Sequence, residues 1–125
     1  MDGATAAEDE EQGMRRVVIE TPYAAEDESH ALRNATYVRR ALTDALYRNE
    51  APLASHVLYA YSGALDDSVP QERALGILAG LTWSAVAEAT VAYMDDGISP
   101  GMAEAIRDAG KMGRPVEYRL IGGNP

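Results

Sequence analysis

Four short strand-like runs alternate with three helically patterned stretches along this chain, and few architectures accommodate that order. Val17-Val18-Ile19-Glu20-Thr21, led in by Arg15-Arg16 and stopped by Pro22, reads as the first strand. Pro22 to Ser29 reads as a polar loop, with Ser29 or Asn34 capping a helix that runs to about Arg48. Its apolar positions Leu32, Ala35, Val38, Leu42, Ala45 and Leu46 recur at helical spacing. The stretch from Ala51 to Tyr61 allows two readings. Propensity puts a strand at Val57–Tyr61; the other reading puts a short strand at Pro52–Ser55, with His56 at its C-terminal end. Gly63 to Val69 is a loop, and Pro70 suits a first helical position behind a cap at Ser68 or Val69. That helix extends to Ala87, and its Gly76, Ala79 and Gly80 allow close packing against a sheet or a second subunit. Ala89 to Met94 is a strand apolar enough to be buried on both faces. After the turn-rich Asp95 to Gly101 comes a helix from about Pro100 to Lys111, ended near Gly113, and a last strand from Pro115 to Ile121. The order β-α-β-α-β-α-β, with helices long enough for crossovers, predicts a small four-stranded parallel sheet covered on both faces.

Composition narrows the chemistry. The chain of 125 residues has room for one domain, expected at 15–121, between an acidic tail at 1–14 and a short tail at 122–125. With no cysteine, disulfides, thiolate metal sites and Cys nucleophiles are excluded, and the two histidines, His30 and His56, cannot make a His-rich metal site alone. No metal or other cofactor is expected. The net charge of −9 is unevenly spread: residues 1–13 carry five acids and no base, a composition expected to be disordered. Neither part has a basic stripe, so a nucleic-acid polymer is not an expected partner. Apolar runs fall well short of the ~20 residues of a membrane span. The first residues are acidic where a secretory signal is basic and then apolar, so the expected location is cytoplasmic.

In an open parallel sheet, ligands bind outside the carboxyl ends of the strands, near the point where strand order reverses. The candidates there are Thr21, Pro22 and Tyr23 after the first strand, and His56, or Tyr61-Ser62, after the second. After the third strand come Asp95, Asp96, Gly97, Ser99, Gly101 and Met102. Ser99-Pro100-Gly101 opens a helix, where backbone N–H groups and the macrodipole favour an anion; an ordinary Ser cap is the alternative. Asp95 suits a ribose hydroxyl or acid–base work, or else a solvated turn with Asp96-Gly97. His56 is either a ligand-contacting group or a satisfied structural residue. Tyr23 either stacks on a base or closes its loop. Glu72-Arg73 read as surface or interface pairs.

These residues in this order resemble the nucleoside 2-deoxyribosyltransferase-like superfamily, and more closely its short phage and bacterial members of unknown function. The resemblance rests on Ile19-Glu20-Thr21-Pro22-Tyr23, on Ala51-Pro52-Leu53-Ala54-Ser55-His56, and on Asp66-Asp67-Ser68-Val69-Pro70-Gln71-Glu72-Arg73 followed by Gly76. Its fourth part is Tyr93-Met94-Asp95-Asp96-Gly97-Ile98-Ser99-Pro100-Gly101-Met102, closed by Gly113-Arg114-Pro115-Val116. It covers about residues 16–121 and favours the reading that places His56 at the site.

The resemblance implies a flavodoxin-like, Rossmann-like three-layer sandwich, usually oligomeric, that cleaves or exchanges the N-glycosidic bond of a deoxynucleoside or its 5′-monophosphate. It further implies a Glu nucleophile about four residues after the loop glycine, and a Ser with backbone amides holding the 5′-phosphate. Four residues beyond Gly101 stands Ala105; the carboxylate is Glu104, about 100° away around a helix. Two readings follow. One is a glycosidase or deoxyribosyltransferase-like enzyme with Glu104 or Asp95 as the catalytic carboxylate. The other is a non-catalytic nucleotide sensor or sponge. Pro22, Tyr23, His56, Ser99, Gly101 and Met102 are the expected binding residues, of which the second reading keeps Ser99, Gly101 and the turn at Tyr23, and the apolar face of the second helix is the expected homo-oligomer contact.

Overall fold

Val17, Val18 and Ile19 are buried in succession, as a strand with layers on both sides requires. The structure, a computed structural model, describes residues 13–121. The order is β1 (Arg15–Glu20), α1 (Glu28–Tyr47), β2 (Glu50–Leu53), a π-helical segment (Val57–Tyr61), α2 (Pro70–Ser84), β3 (Ala89–Tyr93), α3 (Pro100–Lys111) and β4 (Val116–Arg119). The four strands form one parallel sheet in the order β2-β1-β3-β4, with Val17 opposite both Pro52 and Ala89 and Thr90 opposite Val116. Strand order reverses between β1 and β3. Right-handed crossovers then put α1 on one face and α2 with α3 on the other. The protein is a small flavodoxin-like three-layer α/β sandwich.

The α1 face holds the core: Val17, Ile19, Val91 and Tyr93 pack against Tyr37, Val38, Ala41 and Ala45. It also carries a buried ionic network that the sequence pattern did not announce. Arg119 donates to Glu50 at 2.8 Å and to the Tyr93 hydroxyl at 3.0 Å, and that hydroxyl donates to Asp44 at 2.8 Å. Arg15 reaches the same Glu50 at 2.9 Å and Glu117 at 2.7 Å. Burial pushes the Glu50 carboxyl up, but Arg119 and Arg15 outweigh it and hold it below the usual range. A charge this buried is tolerated only with such partners.

Several boundaries differ from the sequence expectations. Asp27, not Ser29 or Asn34, caps α1, accepting from the His30 N–H at 2.8 Å. Asn34 is buried and donates to the carbonyls of Tyr23 at 3.3 Å and Ala24 at 3.2 Å, so it pins the loop after β1. Val57–Tyr61 is not a strand: the Val57 and Leu58 N–H groups turn back to the Ala54 carbonyl, and local winding overrides β-propensity. The strand is Glu50–Leu53, with His56 beyond its C-terminal end. Helix α2 stops at Ser84 rather than Ala87, because the Glu88 N–H already donates to the Arg16 carbonyl. Of the expected acidic tail only residues 13 and 14 lie within the described residues, and 122–125 also lie outside them. No helix among the described residues is long and apolar enough to cross a membrane.

Candidate functional site

Helix α2 does not lie flat on the sheet, and the reason is local. A Cβ on Gly80 would sit 2.9 Å from Ser55 Cβ and Oγ, and one on Gly76 would sit 3.2 Å from Leu65 Cδ1. These glycines dock the helix on the segment after β2, and the Trp83 indole N–H adds a bond to the Tyr59 hydroxyl at 3.0 Å. Between α2, α3 and the second face of the sheet there remains a cavity of about 400 Å³. It lies on the sheet face beside the β1/β3 reversal, where open α/β folds take ligands.

Its first wall comes from the ends of β1 and β2. Thr21 Oγ1 and His56 Nε2 are 3.0 Å apart, and the rings of Tyr23, His56 and Tyr61 cluster with centroids 5.1 to 5.8 Å apart. Burial pulls the His56 imidazole down to about 4, so it is neutral at neutral pH. Burial, with Asp67 and Asp66 nearby, pushes the Tyr23 phenol up, so it too stays neutral.

The start of α3 makes the opposite wall. Ser99 caps it, its Oγ accepting from the Met102 N–H at 3.2 Å, and Pro100 at the first position has no N–H. The Ala103 N–H is spent on the Ser99 carbonyl. Among the described residues, Gly101 N–H and the Ser99 hydroxyl proton are therefore the donors this first turn has left for an anion.

The floor is polar. Arg114 donates from Nε to Thr90 Oγ1 at 2.9 Å and from Nη1 to the Ser84 carbonyl at 2.8 Å. Glu20, the last residue of β1, shares the face of Val18 and also lines the cavity. Burial pushes its carboxyl up to about 7, against the opposing pull of the Arg114 charge.

Six of the residues expected at the site line this cavity: Tyr23, His56, Ser99, Gly101, Met102 and Glu104. Pro22 is buried but does not line it. Asp95 also stays outside. Its carboxylate accepts from the Tyr37 hydroxyl and from the Ile121 N–H at 3.1 Å, which ties the end of β3 to α1 and to the end of β4. Glu104 is exposed at the rim, while Ala105 stands half-buried in the wall. Glu72 and Arg73, expected as surface pairs, both reach the cavity wall, and Glu72 accepts from the Asp66 N–H at 2.9 Å.

Glu20 and Arg114 are among the cavity residues to which the sequence assigned no site role. For Glu20 a signal existed: an acid two positions after Val18, inside a β-branched run, must share a covered face. For Arg114 there was none, since its place depends on how α3 returns to β4. No group of three or more His, Cys, Asp or Glu that could hold a metal exists among the described residues.

No curated protein and no solved structure matches the chain. Residues 15–119, which span every strand and every wall of the cavity, match the family described as Domain of unknown function (DUF7768), and the chain belongs to that family.

Proposed function

We propose that the cavity binds a nucleoside or its 5′-monophosphate and that the protein cleaves or exchanges its N-glycosidic bond. The observation that carries this reading is the cavity itself. Its volume of about 400 Å³ lies in the small-ligand range, roughly 300–1,000 Å³, with an aromatic wall at one side and a helix start at the other. Tyr23 and His56, set edge to face with their planes 70° apart, offer aromatic contacts for a base. The Ser99 hydroxyl and the Gly101 N–H take the phosphate, and Arg73 lines the same cavity from α2. Glu104 is the first of two carboxylates, with Asp108, that line the cavity from α3. Attack by a carboxylate on the anomeric carbon stabilises oxocarbenium-like charge and forms a glycosyl-enzyme, while the base leaves with a proton. The link to this chemistry is the resemblance to nucleoside deoxyribosyltransferase-like proteins. Asp95 has no part in it, because its oxygens are taken by Tyr37 and Ile121.

One observation favours a second reading, non-catalytic nucleotide binding by a sensor or sponge. At the position where the resemblance implies a nucleophile, the wall carries the Ala105 methyl group, and Glu104 is turned further towards solvent.

Incubation with a panel of ribo- and deoxynucleoside monophosphates, with free base followed by chromatography, separates the two. Base release that disappears in Glu104→Gln supports the enzyme. No release, together with thermal stabilisation by one nucleotide, supports binding alone. Ser99→Ala is expected to weaken phosphate-bearing ligands about ten-fold more than nucleosides, the worth of one charge-assisted hydrogen bond. Equal weakening of both would remove the phosphate from the α3 start.

The same reading includes self-association. From Leu75 to Ser84, α2 carries no charged residue and exposes Leu75, Ile77, Leu78, Leu81 and Trp83, with Val86 exposed just beyond its end. So long an apolar surface on one helix fits a second copy of the same helix.

A further inference from the structure

The floor of the cavity contains one polar group left unmatched. Ser84 Oγ donates to the Gly80 carbonyl at 2.9 Å, and Arg114 is taken by Thr90 and by the Ser84 carbonyl. Glu20 has no hydrogen bond and no ion pair with any described residue, although it stands among Val18, Met102 and Thr90 in the same lining. Arg114 influences it only through its charge, from beyond contact distance. Glu20 is thus a half-buried carboxylate that faces the cavity with no protein donor on it, and a ligand that brings N–H donors supplies the missing partner.

We infer that Glu20 is a specificity-determining residue that receives the exocyclic amino group of the ligand's base, so that the cavity takes amino-bearing nucleobases and rejects their oxo counterparts. This rests on the nucleotide reading above. An amino group donates to Glu20 whether the carboxyl is ionised or protonated, since one oxygen always accepts. An oxo group at the same place sets a carbonyl lone pair against the ionised carboxylate and is accepted only by the protonated form, so the discrimination is full above the Glu20 titration at about 7. Sites built around a buried polar group discriminate strongly in this way, because the mismatched ligand leaves that group unpaired.

Dissociation constants are measured by calorimetry for wild type, Glu20→Gln and Glu20→Asp. The ligands, at about pH 8.5 where the Glu20 carboxyl is ionised, are the 5′-monophosphates of adenosine and cytidine, of their oxo counterparts inosine and uridine, and of guanosine, whose 2-amino group inosine lacks. At least one amino-bearing nucleotide is expected to bind wild type about ten-fold or more tightly than its counterpart. Glu20→Gln, which removes a buried charge and keeps the shape, should bring the two within about three-fold. Glu20→Asp keeps the acid on a shorter arm and should fall between. Equal binding of amino and oxo ligands, or an unchanged preference in Glu20→Gln, overturns the role of Glu20 while leaving nucleotide binding in place. Failure of all five nucleotides to bind wild type overturns both.

Discussion

Glu20 and His56 face the same cavity with opposite electrostatic problems, and their titrations oppose one another. The Glu20 carboxyl rises from 4.5 to about 7 through burial. Between those values the unfolded chain has lost its proton while the folded chain keeps it, so this contribution to stability falls as pH rises through the window. For His56, burial lowers the value from 6.5 to about 4. Below 6.5 the unfolded chain gains a proton that the folded chain refuses, so that contribution falls as pH drops towards 4. Over pH 4.5–6.5 the two slopes offset each other.

Single variants should expose each slope in turn. Glu20→Gln is expected to leave a stability that rises with pH between 4 and 6.5, and His56→Asn one that falls between 4.5 and 7. Each effect has an upper bound of about 3 kcal/mol. Urea midpoints measured across pH check this; parallel curves for the two variants would show that neither group is desolvated. Other charges in the walls, Arg73 and Glu72 from α2, Glu104 and Asp108 from α3, and Arg114 before β4, are common to both variants. At this scale Tyr23, His56 and Ser99 were legible from where strands and helices end. Asp95 was misread because a carboxylate after a strand has two faces to serve, and Tyr37, midway along α1, claims it from that side.

At the scale of elements, α2 decides whether there is a cavity at all. Its two glycines meet very different neighbours. A Cβ on Gly80 meets Ser55 Cβ and Oγ at 2.9 Å, atoms close to the main chain that cannot swing away. Gly80→Ala should therefore cost about 1–3 kcal/mol of overpacking, less the gain of about 1 kcal/mol from replacing a helical glycine. On Gly76 the nearest atom is Leu65 Cδ1 at 3.2 Å, the free end of a mobile side chain. Gly76→Ala should be neutral, or stabilise by a few tenths of a kcal/mol up to about 1 kcal/mol, on helix propensity. Thermal midpoints of the two variants test the contrast, and equal shifts would refute the docking of α2 through Gly80. The small residues at these positions were readable as a close approach. What they approach was not, because the partners, Ser55 and Leu65, flank the π-helical segment that β-propensity disguised as a strand.

For the whole molecule, the proposal of self-association rests on α2, where Leu75 is 56%, Leu78 61% and Trp83 52% exposed. Light scattering is expected to give a mass that is a multiple of the 13.4 kDa chain. Leu78→Glu should reduce it towards a single chain by burying a charge in the contact. A wild type that runs as a single chain at micromolar concentration would sink the idea.

The sequence alone determined the α/β class, the parallel sheet and the strand ends at which the candidate residues gather. Periodicity and β-propensity report local burial, and crossover handedness leaves little freedom thereafter. Only the tertiary structure decided that α2 stands off the sheet, that Asp95 serves the frame rather than the cavity, and that Glu20 lies unpaired on the cavity floor. Each of these depends on which side chains from distant segments meet, and spacing along one segment carries no record of that.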